Sequence, residues 1–364
     1  MIRRSSILWQ LLWPARVGTV PLYWLGLRAH RGLYAVGIKR RYRPRVPVIC
    51  VGNLSMGGTG KTPLVIAIVE MLREMGREVA VLTRGYKSRQ RLLAPRETIV
   101  WATKTSVSAS NVGDEAFMML ERLSGVHVLV SHDRSASARL AVEKFGCDVL
   151  VMDDGFQHWP LERDLDIVVL DASQPHWLNH LMPWGNLREG FSALRRAHVA
   201  VITKARDEAE RERMAALARR VNPSIAVWQV DFVPAKIRRL TDGKAINMKS
   251  LDGEPVLLVC GIASPEGFEQ TARSLGCKIA RRFFYRDHFT YPDLVIKYLE
   301  LQAQRLGARC ILTTEKDAVK LRGRTSPAAP WATIALKTTW LDPPADHIRV
   351  YLDGIMKSGG RAAK

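Results

Sequence analysis

The stretch VICVGNLSMGGTGKTP, residues 48–63, decides the fold. It begins as an apolar β-branched run, passes through a glycine-rich turn and then opens, at Gly60-Lys61-Thr62, a segment with the apolar spacing of a helix from Lys61 to Met75. Strand, turn and helix in that order make a phosphate cradle. Glycines let backbone N–H groups turn toward the anion, and the helix N-terminus adds positive potential. Lys61 is placed to reach the β and γ oxygens and Thr62 to ligate Mg²⁺. The expected nucleotide-binding residues are therefore Ser55, Met56, Gly57, Gly58, Thr59, Gly60, Lys61 and Thr62, with Lys61 also catalytic.

The match to G-x-x-x-x-G-K-[ST] departs at one position. Ser55 stands where the first glycine is usual, and Gly57 and Gly58 supply flexibility instead. The partition-type ATPase loop carries a lysine where this chain has Met56. A guanine-reading [NT]-K-x-D is also missing: Thr203-Lys204-Ala205-Arg206 lacks the aspartate, and Thr314-Glu315-Lys316-Asp317 has the wrong spacing. ATP is the expected nucleotide.

Outward from this loop, short apolar runs alternate with helical patterns. EVAVLT, VHVLV, DVLVMDD, DIVVLDA, HVAVIT and IAVWQV are continuously rather than alternately apolar, so both of their faces are covered. The fold class is α/β, a doubly wound parallel P-loop NTPase sheet. Between residues 233 and 250 the pattern turns polar around Asp242-Gly243, which reads as a hairpin-like linker. A second, smaller α/β series follows over 251–356, and 357–364 reads as a disordered tail. The nucleotide domain occupies 47–232.

Residues 1–46 are different. The 364-residue chain carries 55 Lys and Arg against 35 Asp and Glu, a net charge of +20. Eleven of those cations, from Arg3 to Lys61, precede Glu70, the first acidic residue. Trp9, Trp13, Tyr23, Trp24 and Tyr34 lie among them. Pro14 and Arg16 interrupt the opening apolar run, which is too short to span a bilayer. Aromatic and leucine faces with basic flanks suit an interfacial helix on an anionic membrane surface. A nucleic-acid module would need stacking platforms in a recognisable fold, and no nucleic-acid partner is expected. The five cysteines form no CxxC pair and read as small buried hydrophobes.

A metal-binding carboxylate is expected at the end of an apolar strand. DVLVMDD offers Asp153 and Asp154, with Asp171 as an alternative.

Taken together, GNLSMGGTGKTP at 52–63, LTRGYKS at 82–88, VGDEA at 112–116, DDGFQH at 153–158, PWGNLREG at 183–190, RDHFTY at 286–291 and TTEKDAVK at 313–320 resemble the tetraacyldisaccharide 4′-kinase family. That resemblance implies transfer of the γ-phosphate of ATP, with Mg²⁺, to the 4′-hydroxyl of an acylated disaccharide phosphate lipid. It also implies work at the cytoplasmic face of the bacterial inner membrane as a peripheral protein, and a monomer is expected. By the same resemblance Asp114 is the base with His288 as its partner. Glu115 joins Thr62, Asp153 and Asp154 around the metal, while Arg84, Tyr86, Arg134, Arg188, Gln157 and His158 face the substrate. The rival in another class is a membrane-associated ATPase that hydrolyses without transfer.

Overall fold

The computed structural model describes residues 13–85, 99–101, 109–174 and 180–359. Strands are numbered here in chain order: β1 Val48–Asn53, β2 Val79–Thr83, β3 Ile99–Trp101, β4 His127–Val130, β5 Val149–Asp153, β6 Leu165–Asp171, β7 Val199–Thr203, β8 Ala226–Arg239, β9 Ala245–Ile246, β10 Pro255–Cys260, β11 Lys278–Phe284, β12 Cys310–Thr314 and β13 Trp331–Asp342. Helices cover Trp13–Ala35, Lys61–Glu74, Asp114–Arg122, Arg134–Phe145, Glu208–Val221, Pro265–Ser274, Asp293–Arg305, Glu315–Leu321 and Ala345–Gly359, with a single turn at Ala109–Val112.

The strands form one sheet in the order β11-β10-β12-β13-β8-β7-β6-β1-β5-β2-β4-β3, with β9 paired to β8. Two parallel halves meet at an antiparallel seam, where β13 runs against β8 from Ala332 opposite Arg239 to Asp342 opposite Gln229. The continuously apolar runs of the sequence sit where both faces are covered. Ile49, Val51 and Val151 pack beneath the Lys61–Glu74 helix. Cys50, Leu150 and Met152 face the opposite layer with Ala138 and Ala141. The second half repeats the arrangement around Val256, Leu258 and Leu312 on one face and Leu257, Val259 and Ile311 on the other.

The segment expected to be a linker over 233–250 begins as strand, because β8 continues to Arg239. Its backbone groups have a partner that sequence periodicity does not reveal, the strand β13. Beyond it, β9 turns back at Gly243, which adopts a φ of 70°. The C-terminal helix then returns to the first half, burying Ile348, Leu352 and Met356 beside Leu64 and Ile68. That helix extends to Gly359, and residues 360–364 lie outside the described residues. All five cysteines are buried and free.

Candidate active site

The site lies at the C-terminal ends of the parallel strands, the position where open α/β sheets leave a crevice. Asn53 ends β1 and its amide fixes the start of the phosphate loop, donating to Ser55 O at 2.6 Å and to Thr59 Oγ1 at 3.1 Å. Ser55 Oγ accepts from Gln174, and Met56 N donates to Asn186 O at 2.7 Å. Gly57 adopts a φ of 114° and Gly60 one of 91°, both costly for any residue with a Cβ. At Gly60 a Cβ would also fall 2.3 Å from the Phe232 ring of β8. Lys61 and Thr62 follow as the first two residues of the helix.

Asp153 ends β5, nearly sealed from solvent, and accepts from Thr83 Oγ1 at 3.1 Å. Burial first, then the charges of Glu115 and Asp154, pushes its pKa up. Asp154 behaves oppositely. Burial alone would raise it, but Lys61 at 3.5 Å and Arg188 hold it well below the usual carboxylate range. Arg188 Nη1 donates to both Asp154 oxygens, at 3.0 and 2.9 Å. Arg134 is 3% exposed and donates to the Asp154 carbonyl at 3.1 Å, so it props the loop from beneath. Gln157 donates to Asn53 O at 3.0 Å, tying the DDGFQH loop to the phosphate loop.

Three buried oxygens here, Asn53 Oδ1, Asp153 Oδ1 and Gln157 Oε1, have no donor among the described residues. Such oxygens suit a hard divalent cation or the waters around it. Among the described residues no three carboxylate, histidine or cysteine groups form a closed metal cage. Magnesium keeps most of its waters and needs no such cage. Asp171 is otherwise engaged: Oδ1 accepts from Ser173 and Oδ2 from Lys204.

Asp114 and His288 come from opposite halves of the sheet. Asp114 is the first residue of its helix, yet its carboxylate does not cap it. Its Oδ2 lies 3.2 Å from His288 Nδ1 and 3.1 Å from Lys320 Nζ. Burial works to raise the Asp114 pKa, but the bonds to His288 and Lys320 outweigh it and keep the carboxylate ionised. His288 Nε2 lies 3.2 Å from Lys316 Nζ. An ammonium only donates, so Nε2 accepts and the ring proton sits on Nδ1, facing Asp114. Lys316 also reaches Asp287 at 3.1 Å and Glu115 at 3.6 Å.

Among the described residues, three non-glycines have positive φ: Asp154 at 49°, Lys204 at 55° and His288 at 61°. Each such backbone costs about 1–2 kcal/mol. All three stand at this site, which is where strained backbone accumulates when geometry serves chemistry.

Arg84 directly follows β2 and, with Arg134 and Arg163, acts electrostatically on His158, whose pKa falls to about 3 chiefly through burial. Tyr86 lies outside the described residues. Sequence reasoning assigned no role to Asn53, Thr203, Lys204 or Lys320. Thr203 and Lys204 had a signal, since the pair half-matches a nucleotide-reading motif. Lys320 carried none beyond its place in TTEKDAVK.

Comparison with known proteins gives the family. A family model described as tetraacyldisaccharide-1-P 4′-kinase matches residues 8–351. The tetraacyldisaccharide 4′-kinase of Anaeromyxobacter sp. (strain Fw109-5) is 38% identical over 340 residues, 93% of this chain and 90% of that protein. That of Syntrophus aciditrophicus (strain SB) is 34% identical over 330 residues, 88% and 85% of the two chains. The crystal structure of LpxK from Aquifex aeolicus in complex with ATP superposes with a TM-score of 0.71 at 26% identity, covering 95% of this chain and 99% of that one. With a family match over nearly its whole length and relatives above 30% identity along most of it, this chain belongs to the tetraacyldisaccharide 4′-kinase family.

Proposed function

We propose that this chain transfers the γ-phosphate of ATP to the 4′-hydroxyl of tetraacyldisaccharide 1-phosphate, giving lipid IVA in lipid A biosynthesis. The observation that carries the reading is a phosphate loop, with Lys61 beside Asp154, together with the Asp114–His288 pair that joins the two halves of the sheet. Phosphoryl transfer passes through a loose transition state, so positioning and charge neutralisation matter more than base strength. That suits Asp114, an ionised carboxylate with a depressed pKa. Its Oδ2 is taken by His288 and Lys320, leaving Oδ1 to accept the hydroxyl proton.

In the reaction the sugar oxygen bonds to γ-phosphorus, the bond to the β,γ-bridging oxygen breaks, ADP leaves and the proton passes to Asp114. Lys61 exchanges Asp154 for the β and γ oxygens. Arg188, already forked onto Asp154, neutralises charge nearby. Asp153, Asp154, Thr62, Glu115 and Gln157 are the residues that would hold Mg²⁺, which when bound neutralises charge on the β and γ oxygens. Arg84, Tyr86 and His158 are assigned to the acceptor side.

The membrane surface enters the same proposal. No helix among the described residues is long and apolar enough to cross a membrane. The Trp13–Ala35 helix turns Tyr23 inward, its hydroxyl donating to Arg188 O at 2.9 Å, and leaves Leu22, Trp24 and Leu25 outward. Arg28 lies over the Trp24 ring. An apolar, aromatic and basic face tied to an active-site arginine suits a peripheral enzyme whose acceptor lies in an anionic bilayer. The cytoplasmic face of the inner membrane, where ATP is available, is the proposed location, with the chain acting as a monomer.

The decisive test is transfer of label from γ-labelled ATP to detergent-dispersed tetraacyldisaccharide 1-phosphate, with Lys61→Ala as control. Label at the 4′ position is expected. ATP hydrolysis that leaves the lipid unlabelled would replace this reading with the ATPase one.

A further inference from the structure

The seam that joins the two halves has a break. Along β13 the register against β8 shifts between Ala335 and Leu336, and Leu336 faces Pro234. Proline has no N–H to give, so the ladder loses a donor at that point. Two side chains fill in. Arg122 Nη2 donates to Leu336 O at 3.0 Å, and Glu315 Oε2 accepts from Leu336 N at 3.4 Å. The same two side chains bind each other, Arg122 Nη1 donating to both Glu315 oxygens at 2.9 and 3.1 Å. At 24% and 22% exposure the pair is mostly withdrawn from water, where ions are screened least.

The pair sits at the ends of two helices that carry the chemistry. Arg122 ends the helix that Asp114 opens, and Glu315 opens the helix that bears Lys316 and Lys320. Lys320 reaches Asp114 and Lys316 reaches His288, so the placement of the second helix decides where both members of the catalytic pair are held. Four ion pairs join the helices and their flanks: Asp114–Lys320, Glu115–Lys316, Glu121–Arg322 and Arg122–Glu315. In three of them the acid belongs to the first half. In the fourth the signs are exchanged, so a slip of one helix along the other would carry Arg122 toward lysines and Glu315 toward carboxylates. Repulsion of that kind fixes register.

We propose that Arg122 and Glu315 are positioning residues for the Asp114–His288 pair: they brace the seam where its ladder breaks and set the register of the two helices that hold the pair. The inference rests on the transfer reading above and deepens it, because it assigns the assembly of the base to two residues that act through Lys316, Lys320 and the seam.

The test uses the full chain and Arg122→Met, which keeps the stem and removes the guanidinium. Calorimetric stoichiometry with ATP counts folded molecules, so that turnover is expressed per folded site. Transfer to detergent-dispersed tetraacyldisaccharide 1-phosphate should lose about 10²-fold in kcat, the effect of a misplacement of about 1 Å, with KM for ATP within about threefold. In an Asp114→Asn background the same substitution should cost no further turnover, since a residue that acts through the base has nothing left to position. Wild-type kcat in Arg122→Met, or losses that multiply in the Asp114→Asn background, overturns the proposal. If Arg122→Met does not fold by circular dichroism, Arg122→Lys keeps the charge and loses the fork; it should still lower kcat, and wild-type kcat there overturns the proposal equally. Hydrogen exchange over the peptide containing Leu336, read by mass spectrometry, reports the brace without turnover. It should quicken about tenfold in Glu315→Ala, and unchanged exchange overturns the brace. A wild-type chain that hydrolyses ATP and leaves the lipid unlabelled would instead bring down the transfer reading, while exchange at Leu336 still decides the brace.

Discussion

Asp114 and His288, 174 positions apart in the chain, meet with Oδ2 and Nδ1 3.2 Å apart. One opens a helix of the first half; the other sits in a left-handed turn of the second, its backbone N–H donating to Gly261 O at 3.1 Å. The pair therefore exists only when both halves are in place, and the antiparallel seam of β8 with β13 makes them one sheet. Lys320, from the helix after β12, closes the arrangement on the same oxygen.

From this pairing follows the effect of Asp114→Asn. The amide keeps the shape and removes the proton acceptor, so turnover should fall about 10²- to 10⁴-fold. ATP affinity should stay within a few-fold, because Asp114 touches none of the phosphate loop. Steady-state transfer assays and calorimetry separate the two effects. Wild-type turnover in this variant would remove Asp114 from the chemistry.

Gly60→Ala is expected to abolish nucleotide binding for two separable reasons. The added Cβ meets the Phe232 ring, and the φ of 91° is strained for alanine. Adding Phe232→Ala relieves only the first. The double variant should recover part of the affinity lost by Gly60→Ala and never all of it. Full recovery would mean that the backbone conformation is not needed.

Asp317 is fully buried and accepts from Gly261 N at 2.9 Å, Thr314 Oγ1 at 2.8 Å and Lys320 Nζ at 3.3 Å. Asp317→Ala strands the buried Gly261 donor and takes one of two carboxylates from the Lys320 ammonium, which keeps Asp114, so it should destabilise the fold by about 1–3 kcal/mol. It should also loosen Lys320 beside Asp114. A thermal unfolding midpoint unchanged from wild type would show that these bonds are not holding the second half.

Much of this was legible in the sequence, because continuous apolar runs mark doubly covered strands. The helix expected from Lys61 to Met75 is found over Lys61–Glu74. The phosphate loop and DDGFQH were legible because glycine, lysine and aspartate at fixed spacing have few other uses. WATIALKTTWLD, now β13, was not. It turns polar toward its end, and its meaning depends on β8, about a hundred positions earlier. Lys204 was passed over because its motif fails as a guanine reader. Its bonds to Gly58 and Ser264 appear only once three loops are brought together.

The leader helix gives a prediction that its own packing does not. Leu22 and Leu25 are 70% and 59% exposed and lie three positions apart on one face. Each leucine moved from water into the interface is worth about 1.5–3 kcal/mol. Leu22→Glu with Leu25→Glu should therefore cut flotation with vesicles containing anionic phospholipid by 100-fold or more. Transfer to a detergent-dispersed acceptor should change far less. Unaltered flotation would assign this face to something other than a bilayer.

His158 makes a prediction about pH. In an unfolded chain it titrates near 6.5. In the fold, burial first and then the positive charges of Arg134 and Arg163 push it down to about 3. A depressed histidine pKa means that the unfolded chain takes the proton first. The contribution to stability is thus fully present above about pH 6.5 and is lost progressively as pH falls from there toward 3. Between pH 7 and pH 5 this one group should remove about 2 kcal/mol, from 1.4 kcal/mol per unit below 6.5. His158→Gln carries no titrating ring, so its urea-unfolding free energy should fall less between those two pH values than that of the wild type. The absolute stability of the variant does not enter, since only the difference between the two pH values is compared. Equal losses in both proteins would mean that His158 is not held neutral, and the acid sensitivity would then belong to the carboxylates.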